Sequence, residues 1–388
     1  MENLVKSTGL KEALEETYRD RPVLVTGHTG FKGAWLSAWL SELGTQVIGY
    51  SLDPPSKPSL FEACGMDQRL VHIHGDVRDL PHLQSVLKAN RPEIVFHLAA
   101  QSLVRLSYAE PLLTYATNVM GTANLLEAVR SVPCVRVTVI ATSDKCYENK
   151  GLGRNFVEDD PMGGYDPYSS SKGCAEIIAS AYRRSYFNPD RYPDHGVSVS
   201  TVRAGNVIGG GDWGLDRLIP DCMRALSARE PIFIRNPDAV RPWQHVLDCL
   251  LGYLLLGKKM DRDGPRFSGA WNLGPLLQPA ITVKELVQMI IRSWGDGSVL
   301  FEPEVDPHDQ LNLHEAPSLH LDCSKASLAL EWRPFYKLDQ AVEKTIAWYR
   351  TFYSGASKEA LFSHTVEQIK EYMRGNPYRD TESPRHVS

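Results

Sequence analysis

The chain has few residues that could form covalent or metal cross-links. Among 388 residues there are seven cysteines, an odd number, at positions 64, 134, 146, 174, 222, 249 and 323. No two stand as C-x-x-C, which argues against a zinc site and against a disulfide framework, and favours a reducing cytoplasm. No metal constellation is present. Long apolar runs are also missing. Nothing approaches the ~18 residues needed to cross a bilayer. Met1–Asp20 is polar and charged, so no signal peptide is expected. Net charge is small: 42 Lys and Arg against 47 Asp and Glu leave −5. That argues against nucleic acid or a membrane surface as a general partner. Any phosphate site must be local. There is no internal repeat and no low-complexity segment.

What is present is an ordinary soluble composition, 43% hydrophobic and 23% charged. The length allows one large domain or two modest ones. After a short helical stretch at Leu10–Tyr18, Pro22–Thr26 (PVLVT) reads as a strand buried on both faces. It runs into Gly27-His28-Thr29-Gly30-Phe31-Lys32-Gly33 and then an apolar helical pattern. Further strands are predicted at 46–50, 71–74, 93–98, 135–141 and 197–203. Helices are predicted at 111–130 and 168–186, and shorter ones near 216–229, 246–259 and 282–294. The fold class is α/β: a Rossmann-type doubly wound parallel sheet with a smaller mixed α/β substrate-binding lobe. The expected division is 20–205 for the dinucleotide domain, with some later segments returning to it, 206–375 for the lobe, and 376–388 as a frayed tail.

Gly27, Gly30 and Gly33 stand where strand turns into helix. Glycines there allow a tight turn, close approach of backbone amides to a pyrophosphate, and close helix–strand packing. Thr29, Phe31 and Lys32 share that loop. Asp53, about 20 residues on, is a ribose candidate but lies past its strand end. No Arg or Lys stands beside it to hold a 2′-phosphate, so NAD is favoured over NADP. Asp76 and Val77 are placed for the adenine, Asp76 doubling as a candidate helix N-cap. Leu98, Ala99 and Ala100 leave room for the nicotinamide ribose.

Thr142-Ser143-Asp144-Lys145 is followed by Tyr168-x-x-x-Lys172. Tyr168 and Lys172, four apart, share one helix face. A phenol near pKa 10 takes a proton at neutral pH only if its pKa falls. The Lys172 ammonium and an oxidised nicotinamide are expected to lower it. Ser143 can hydrogen-bond the same substrate oxygen. Alcohol oxidation needs no more than these three. Asp144 and Lys145 therefore suggest a second step, proton removal beside the new ketone and expulsion of a hydroxyl. Burial favours the neutral form of each and their mutual attraction opposes it, so a coupled pair is expected.

From Arg21 to about Tyr349 the sequence resembles the extended short-chain dehydrogenase/reductases, and more narrowly the CDP-glucose 4,6-dehydratases. The resemblance rests on VTGHTGFKGAWL (25–36), GYSLDPPSKPSLFE (49–62), TSDKCYEN (142–149), PMGGYDPYSSSKGCAE (161–176), VRAGNVIGGGDW (202–213), DRLIPD (216–221) and IRNPDAVRPWQHVLD (234–248). Other sugar-nucleotide 4,6-dehydratases carry Asp-Glu where this chain has Asp144-Lys145. That leaves open which group removes the C5 proton.

The resemblance implies NAD as cofactor and CDP-glucose as substrate. Tyr168, Lys172, Ser143, Asp144 and Lys145 would be catalytic, and the product would be CDP-4-dehydro-6-deoxyglucose. It implies a role in deoxysugar supply for cell-surface polysaccharide, including O-antigen and lipopolysaccharide. It also implies a homodimer, or a larger oligomer, built on a four-helix interface from 111–130 and 168–186. By the same resemblance Asn206 and Arg241 contact the sugar nucleotide, Arg217 and Arg235 suit the diphosphate, and Gln101 and Arg105 line the sugar pocket. Trp243 stacks on a base or fills core. The loop 205–214 is a candidate lid. The competing readings are a 4-epimerase or reductase of the same fold, and a non-catalytic NAD-binding relative.

Overall fold

A computed structural model describes residues 8–151, 153–275, 281–301 and 319–380. Its centre is a seven-stranded parallel sheet. The strands are β1 (Pro22–Thr26), β2 (Gln46–Ser51), β3 (Val71–His74), β4 (Ile94–His97), β5 (Val137–Ala141), β6 (Ser198–Ala204) and a late strand, Gly269–Leu273. Shorter strands precede the last one in the chain: β7 (Asn206–Ile208), β8 (Ile232–Ile234) and β9 (Trp243–His245). Gly269–Leu273 is therefore β10, and β11 is Val299–Phe301. The order is β10-β6-β5-β4-β1-β2-β3. The chain winds outward from β1 one way and from β4 the other, so the carboxyl ends of these two neighbours form the crevice where such sheets bind ligands. Apolar, β-branched runs explain the strands: β5 (VTVIA) is buried along its whole length, as a strand covered on both faces must be.

Three helices position the site. α1 (Phe31–Glu42) starts directly after the glycine loop. α2 runs from Pro111 to Arg130 and is interrupted by a π turn at Ala116–Met120. α3 (Pro167–Ser185) begins with Asp166, whose side chain accepts from Ser169 N, and with Pro167 in its first turn, both favourable N-terminal features. α4 (Val246–Asp263) packs on β5 and β6 and leads into β10. Residues 246–273, in the span expected to form the lobe, thus complete the central sheet. This strand was not predicted.

The C-terminal helices α5 (Leu338–Tyr353) and α6 (Lys358–Gly375) pack on each other, α6 covers α1, and the pair carries much of the aromatic core. Trp35, Trp39, Trp348, Tyr349 and Tyr372 are fully buried. Each such side chain contributes at least about 1.5–3 kcal/mol by burial. Residues 376–380, expected to fray, are held in the fold. Tyr378 and Asp380 are buried, Lys258 pairs with Asp380 at 2.9 Å, and Arg379–Asp380 pairs antiparallel with Thr8–Gly9. Residues 381–388 lie outside the described residues.

Loop 205–214 is built into the fold instead of lying free over it. β7 pairs in parallel with β9. Trp35 donates to Gly210 O at 2.8 Å, and the Tyr349 hydroxyl donates to Asp212 O. Trp213 is buried against Trp348, Tyr349 and Phe352, with ring centroids 5.7, 5.6 and 4.7 Å away. Gly210 lies so close to Trp348 that a Cβ there would sit 2.2 Å from the ring. The lid expectation is corrected by these anchors.

Candidate active site

The glycine loop meets the geometry that a dinucleotide requires. Gly27 turns with φ +74, and a side chain there would strike the Ala99 backbone at 2.6 Å. A Cβ at Gly33 would lie 2.1 Å from Gly27 O, so α1 rests directly on the turn. At Gly30 a Cβ would meet only Gly27 O, at 3.4 Å. Gly30 caps α1 with no side-chain acceptor for its first amides, and Phe31 and Lys32 stand in that first turn. An uncapped helix N-terminus next to an open glycine suits an anion. Thr29 fastens the loop to the end of β2, through Ser51 Oγ at 2.8 Å and Leu52 O at 3.0 Å. His28 is buried behind it, 2.7 Å from His72.

Beyond β4, Leu98 N donates to Thr26 O at 3.1 Å and Ala99 N donates to Thr26 Oγ1 at 3.2 Å. Ala99 and Ala100 thus line the crevice opposite the loop. Val77 is buried and its carbonyl accepts from Asn124 at 3.0 Å. Asp76 is held by Arg78, and the Arg78 hydrogen bond keeps its carboxyl below the usual range. It caps no helix; Asp79 caps Leu80–Asn90. Asp53 is exposed, 3.7 Å from His74.

The catalytic candidates converge where β5 meets α3. Ser143 caps the short turn Asp144–Cys146, accepting from Lys145 N at 3.2 Å, and its hydroxyl donates to Asp144 Oδ1 at 3.0 Å. Lys172 is buried and donates to Ala141 O at 3.2 Å. Burial, and next the charge of Lys32, bring its pKa down to about 7. Burial raises the Asp144 carboxyl; Lys145 and Ser143 pull it back without cancelling the rise. The expected tendency toward a neutral carboxyl therefore prevails over the ion-pair attraction. Tyr168 is buried as well. Burial pushes its phenol up to about 12, against the opposing pull of a Ser143 hydrogen bond and of Arg217.

Substrate candidates divide into two groups. Arg105 and Arg235 both reach Asp216, at 3.8 and 3.5 Å. Arg217 pairs with Asp212 at 2.9 Å and donates to Ser102 Oγ at 2.9 Å. These three arginines are thus gathered around two aspartates beside the 101–105 segment. Gln101 is spent on its own loop, bonding Leu103 N, Leu103 O and Thr114. Asn118, in the π turn, holds that loop through both the N–H and the carbonyl of Gln101. Asn206 lies half-buried in β7, paired with Trp243 in β9. Trp243 packs against the core, its indole N–H buried without a partner among the described residues. Arg241 donates to Val240 O at 2.9 Å. No group of three or more His, Cys, Asp or Glu among the described residues could hold a metal ion.

Several site residues were not singled out from sequence. Asp212 and Asp216, which organise the arginines, gave no signal beyond being near them. Asn118 gave none. Glu176 did give one, because it continues the Tyr168–Lys172 stripe by one further helical turn.

The family described as GDP-mannose 4,6 dehydratase matches residues 24–345. A CDP-glucose 4,6-dehydratase of Salmonella typhimurium is 47% identical over 357 residues, 92% of this chain and 97% of that protein. A dTDP-glucose 4,6-dehydratase of Streptomyces antibioticus is 28% identical, covering 84% of this chain and 92% of that protein. Among solved structures, a dTDP-glucose 4,6-dehydratase from Streptomyces venezuelae, with NAD and TYD bound, superposes with a TM-score of 0.69 at 25% identity, covering 86% of this chain and 98% of that one. With its glycine loop, Ser143 and Tyr168-x-x-x-Lys172 inside the matched span, the chain belongs to the extended short-chain dehydrogenase/reductases of the nucleotide-sugar 4,6-dehydratase family.

Proposed function

We propose that this chain is a lyase that converts CDP-glucose to CDP-4-dehydro-6-deoxyglucose and water. The observation that carries this reading is the site itself: a buried Asp144 with a raised carboxyl pKa is hydrogen-bonded to Ser143 and near enough to Tyr168 to act on its phenol, in a chain 47% identical to a CDP-glucose 4,6-dehydratase. The 27–33 loop, Asp76, Val77, Leu98–Ala100 and Lys172 would hold NAD. When bound, NAD supplies a hydride acceptor for the alcohol at C4, the same hydride for C6, and a positive charge beside Tyr168.

Tyr168 takes the C4 hydroxyl proton while Ser143 donates a hydrogen bond to the same oxygen. The Lys172 ammonium and the nicotinamide charge would favour the phenolate against burial. The 4-ketone then acidifies C5–H. A base removes that proton, the electron pair forms the C5=C6 bond, and the C6 oxygen leaves as water with the proton of the Asp144 carboxyl. Hydride return to C6 is matched by the base giving its proton back to C5, and on release of the ketone the proton held by Tyr168 returns to the Asp144 carboxylate by way of Ser143, which resets both groups. Lys145 is the candidate base. Lys145→Met should abolish deuterium exchange at C5; undiminished exchange and dehydration would remove Lys145 from this role.

Arg105, Arg217 and Arg235 would receive the diphosphate, exchanging Asp212 and Asp216 for phosphate oxygens. Asn206 and Arg241 would contact the sugar nucleotide, while Gln101 shapes the 101–105 loop. Free cysteines, and the lack of a membrane-crossing helix among the described residues, support a cytoplasmic enzyme. Its product would feed deoxysugars of surface polysaccharide such as O-antigen. Leu112, Met120 and Ile177 leave an exposed apolar face on α2 and α3, which supports a homodimer through four helices. Light scattering of Ile177→Glu against the parent chain tests the dimer.

Product mass tests the reaction. Loss of one water from CDP-glucose, with no net reduced nicotinamide, is expected. A product of unchanged mass with inverted C4 would identify an epimerase instead. The same assay with several nucleoside diphosphate glucoses tests the base.

A further inference from the structure

Glu176 lies one turn beyond Lys172 on α3 and is 4% exposed. Its carboxylate is fully engaged. Thr142 Oγ1 donates to Oε1 at 2.5 Å. Thr201 Oγ1 and Arg203 Nη2 donate to Oε2, at 2.7 and 2.8 Å. Arg203 is in turn fixed by the Tyr147 hydroxyl at 2.7 Å and Glu158 O at 2.8 Å. Two successive residues at the end of β5 are therefore stapled to α3. Ala141 O accepts from Lys172, and Thr142 donates to Glu176. The next three residues are Ser143, Asp144 and Lys145.

Few other charges face Lys172. Lys32, from the first turn of α1, is a like charge. The Cys146 thiol stays neutral, because burial raises its pKa well above the usual value. His97, on β4, is neutral too, with burial lowering its pKa to about 3. Glu176 is the anion among the groups acting on Lys172, and a buried anion with three donors stays ionised. We propose that Glu176 is a positioning residue of this active site: through Thr142 it locks the 143–145 segment that follows β5 onto the helix bearing Tyr168 and Lys172, and its charge favours the ammonium form of Lys172. The inference rests on the reading of Tyr168 and Lys172 given above.

Two variants test it. Glu176→Gln keeps an oxygen that can accept from Thr142 and removes the charge. Activity that depends on the Lys172 ammonium is lost as pH rises through its pKa. Without Glu176 that alkaline limb of kcat/KM should move down by about one pH unit, since a nearby opposite charge is worth about 1–3 units. Thr142→Val removes the staple and leaves the carboxylate–arginine pair. It should lower kcat about tenfold, with KM and the alkaline limb unchanged. A wild-type limb in Glu176→Gln, or wild-type kcat in Thr142→Val, overturns the proposal. If Glu176→Gln fails to fold, Thr142→Val alone still decides. An epimerised product from the parent enzyme would instead overturn the dehydratase reading, and the pH limb can be measured on either turnover.

Discussion

Gly205→Ala should slow turnover about tenfold and leave the fold almost as stable. A Cβ on Gly205 would lie 2.8 Å from Asp144 Oδ2 and 3.5 Å from its Cγ, with Pro242 at 3.6 Å on the other side. The carboxylate must retreat about 0.6 Å to reach the 3.4 Å of ordinary contact. It cannot retreat freely, because Ser143 holds the other oxygen at 3.0 Å. A misplacement of about 1 Å costs roughly 100-fold in rate, so about half of that costs roughly tenfold, or ~1.4 kcal/mol of barrier. Stability responds differently. Gly205 is not among the glycines of positive φ, so alanine also restricts the unfolded chain, worth ~0.4–1 kcal/mol. That offsets most of the ~1 kcal/mol of local crowding. The assay pairs kcat, from product mass against time, with a thermal melt and an NAD titration. The expected pattern is reduced kcat, a melting temperature within about 2–4 °C of the parent, and unchanged NAD affinity. Wild-type kcat, or a kcat loss that follows the loss of folded protein, would refute the placement of Asp144 as the acid.

Tyr168→Phe should lower kcat by about 10²–10⁴, the usual worth of a positioned acid–base group, without weakening NAD retention; a wild-type rate would remove Tyr168 from the chemistry. Asp248 is buried, accepting from Phe335 N at 2.6 Å and from the Tyr372 hydroxyl at 2.7 Å, and burial raises its carboxyl to about 6. The fold therefore binds this proton more tightly than the unfolded chain, and the stability it contributes fades as pH rises from about 4 to 6. Asp248→Asn keeps the accepting oxygen and removes the charge, so its melting temperature should exceed the parent's at pH 7.5 and match it at pH 4; a lower value at pH 7.5 would contradict this. His28, His97 and His245 run the other way, each lowered by burial to about 3. Stability from them is present above pH 6.5 and lost as pH falls toward 3, by at most ~4 kcal/mol per pH unit for the three together. Urea unfolding at pH 7, 6 and 5 should show that slope, and a flat profile would rule it out.

The elements legible in the sequence are those whose local signal and tertiary role coincide. β1 and β5 are mostly apolar runs because both faces are covered, and Gly27–Gly33 reads as a ligand turn because no residue other than glycine tolerates Gly27 O so near α1. β10 was not legible. Gly269–Leu273 carries a half-buried start and a polar Asn272, and its place beside β6 depends on α4 returning 246–263 to the sheet, a long-range event that no window reports. The same gap misled the reading of 205–214. Its glycines suggested mobility, yet Gly210 is glycine because Trp348 lies against it, and Trp348 is 138 positions further along. Tyr168 is a sharper case. The sequence pairs the phenol with Lys172 and a cofactor charge, whereas the desolvating wall that pushes it up to about 12 comes from the whole fold. The burial that shapes the pocket therefore opposes the ionisation that catalysis needs. In the proposed reaction Ser143, Lys172 and the ligand charge would supply the difference, which would make the buried charge balance around Lys172, Glu176 included, as consequential for rate as the tyrosine itself.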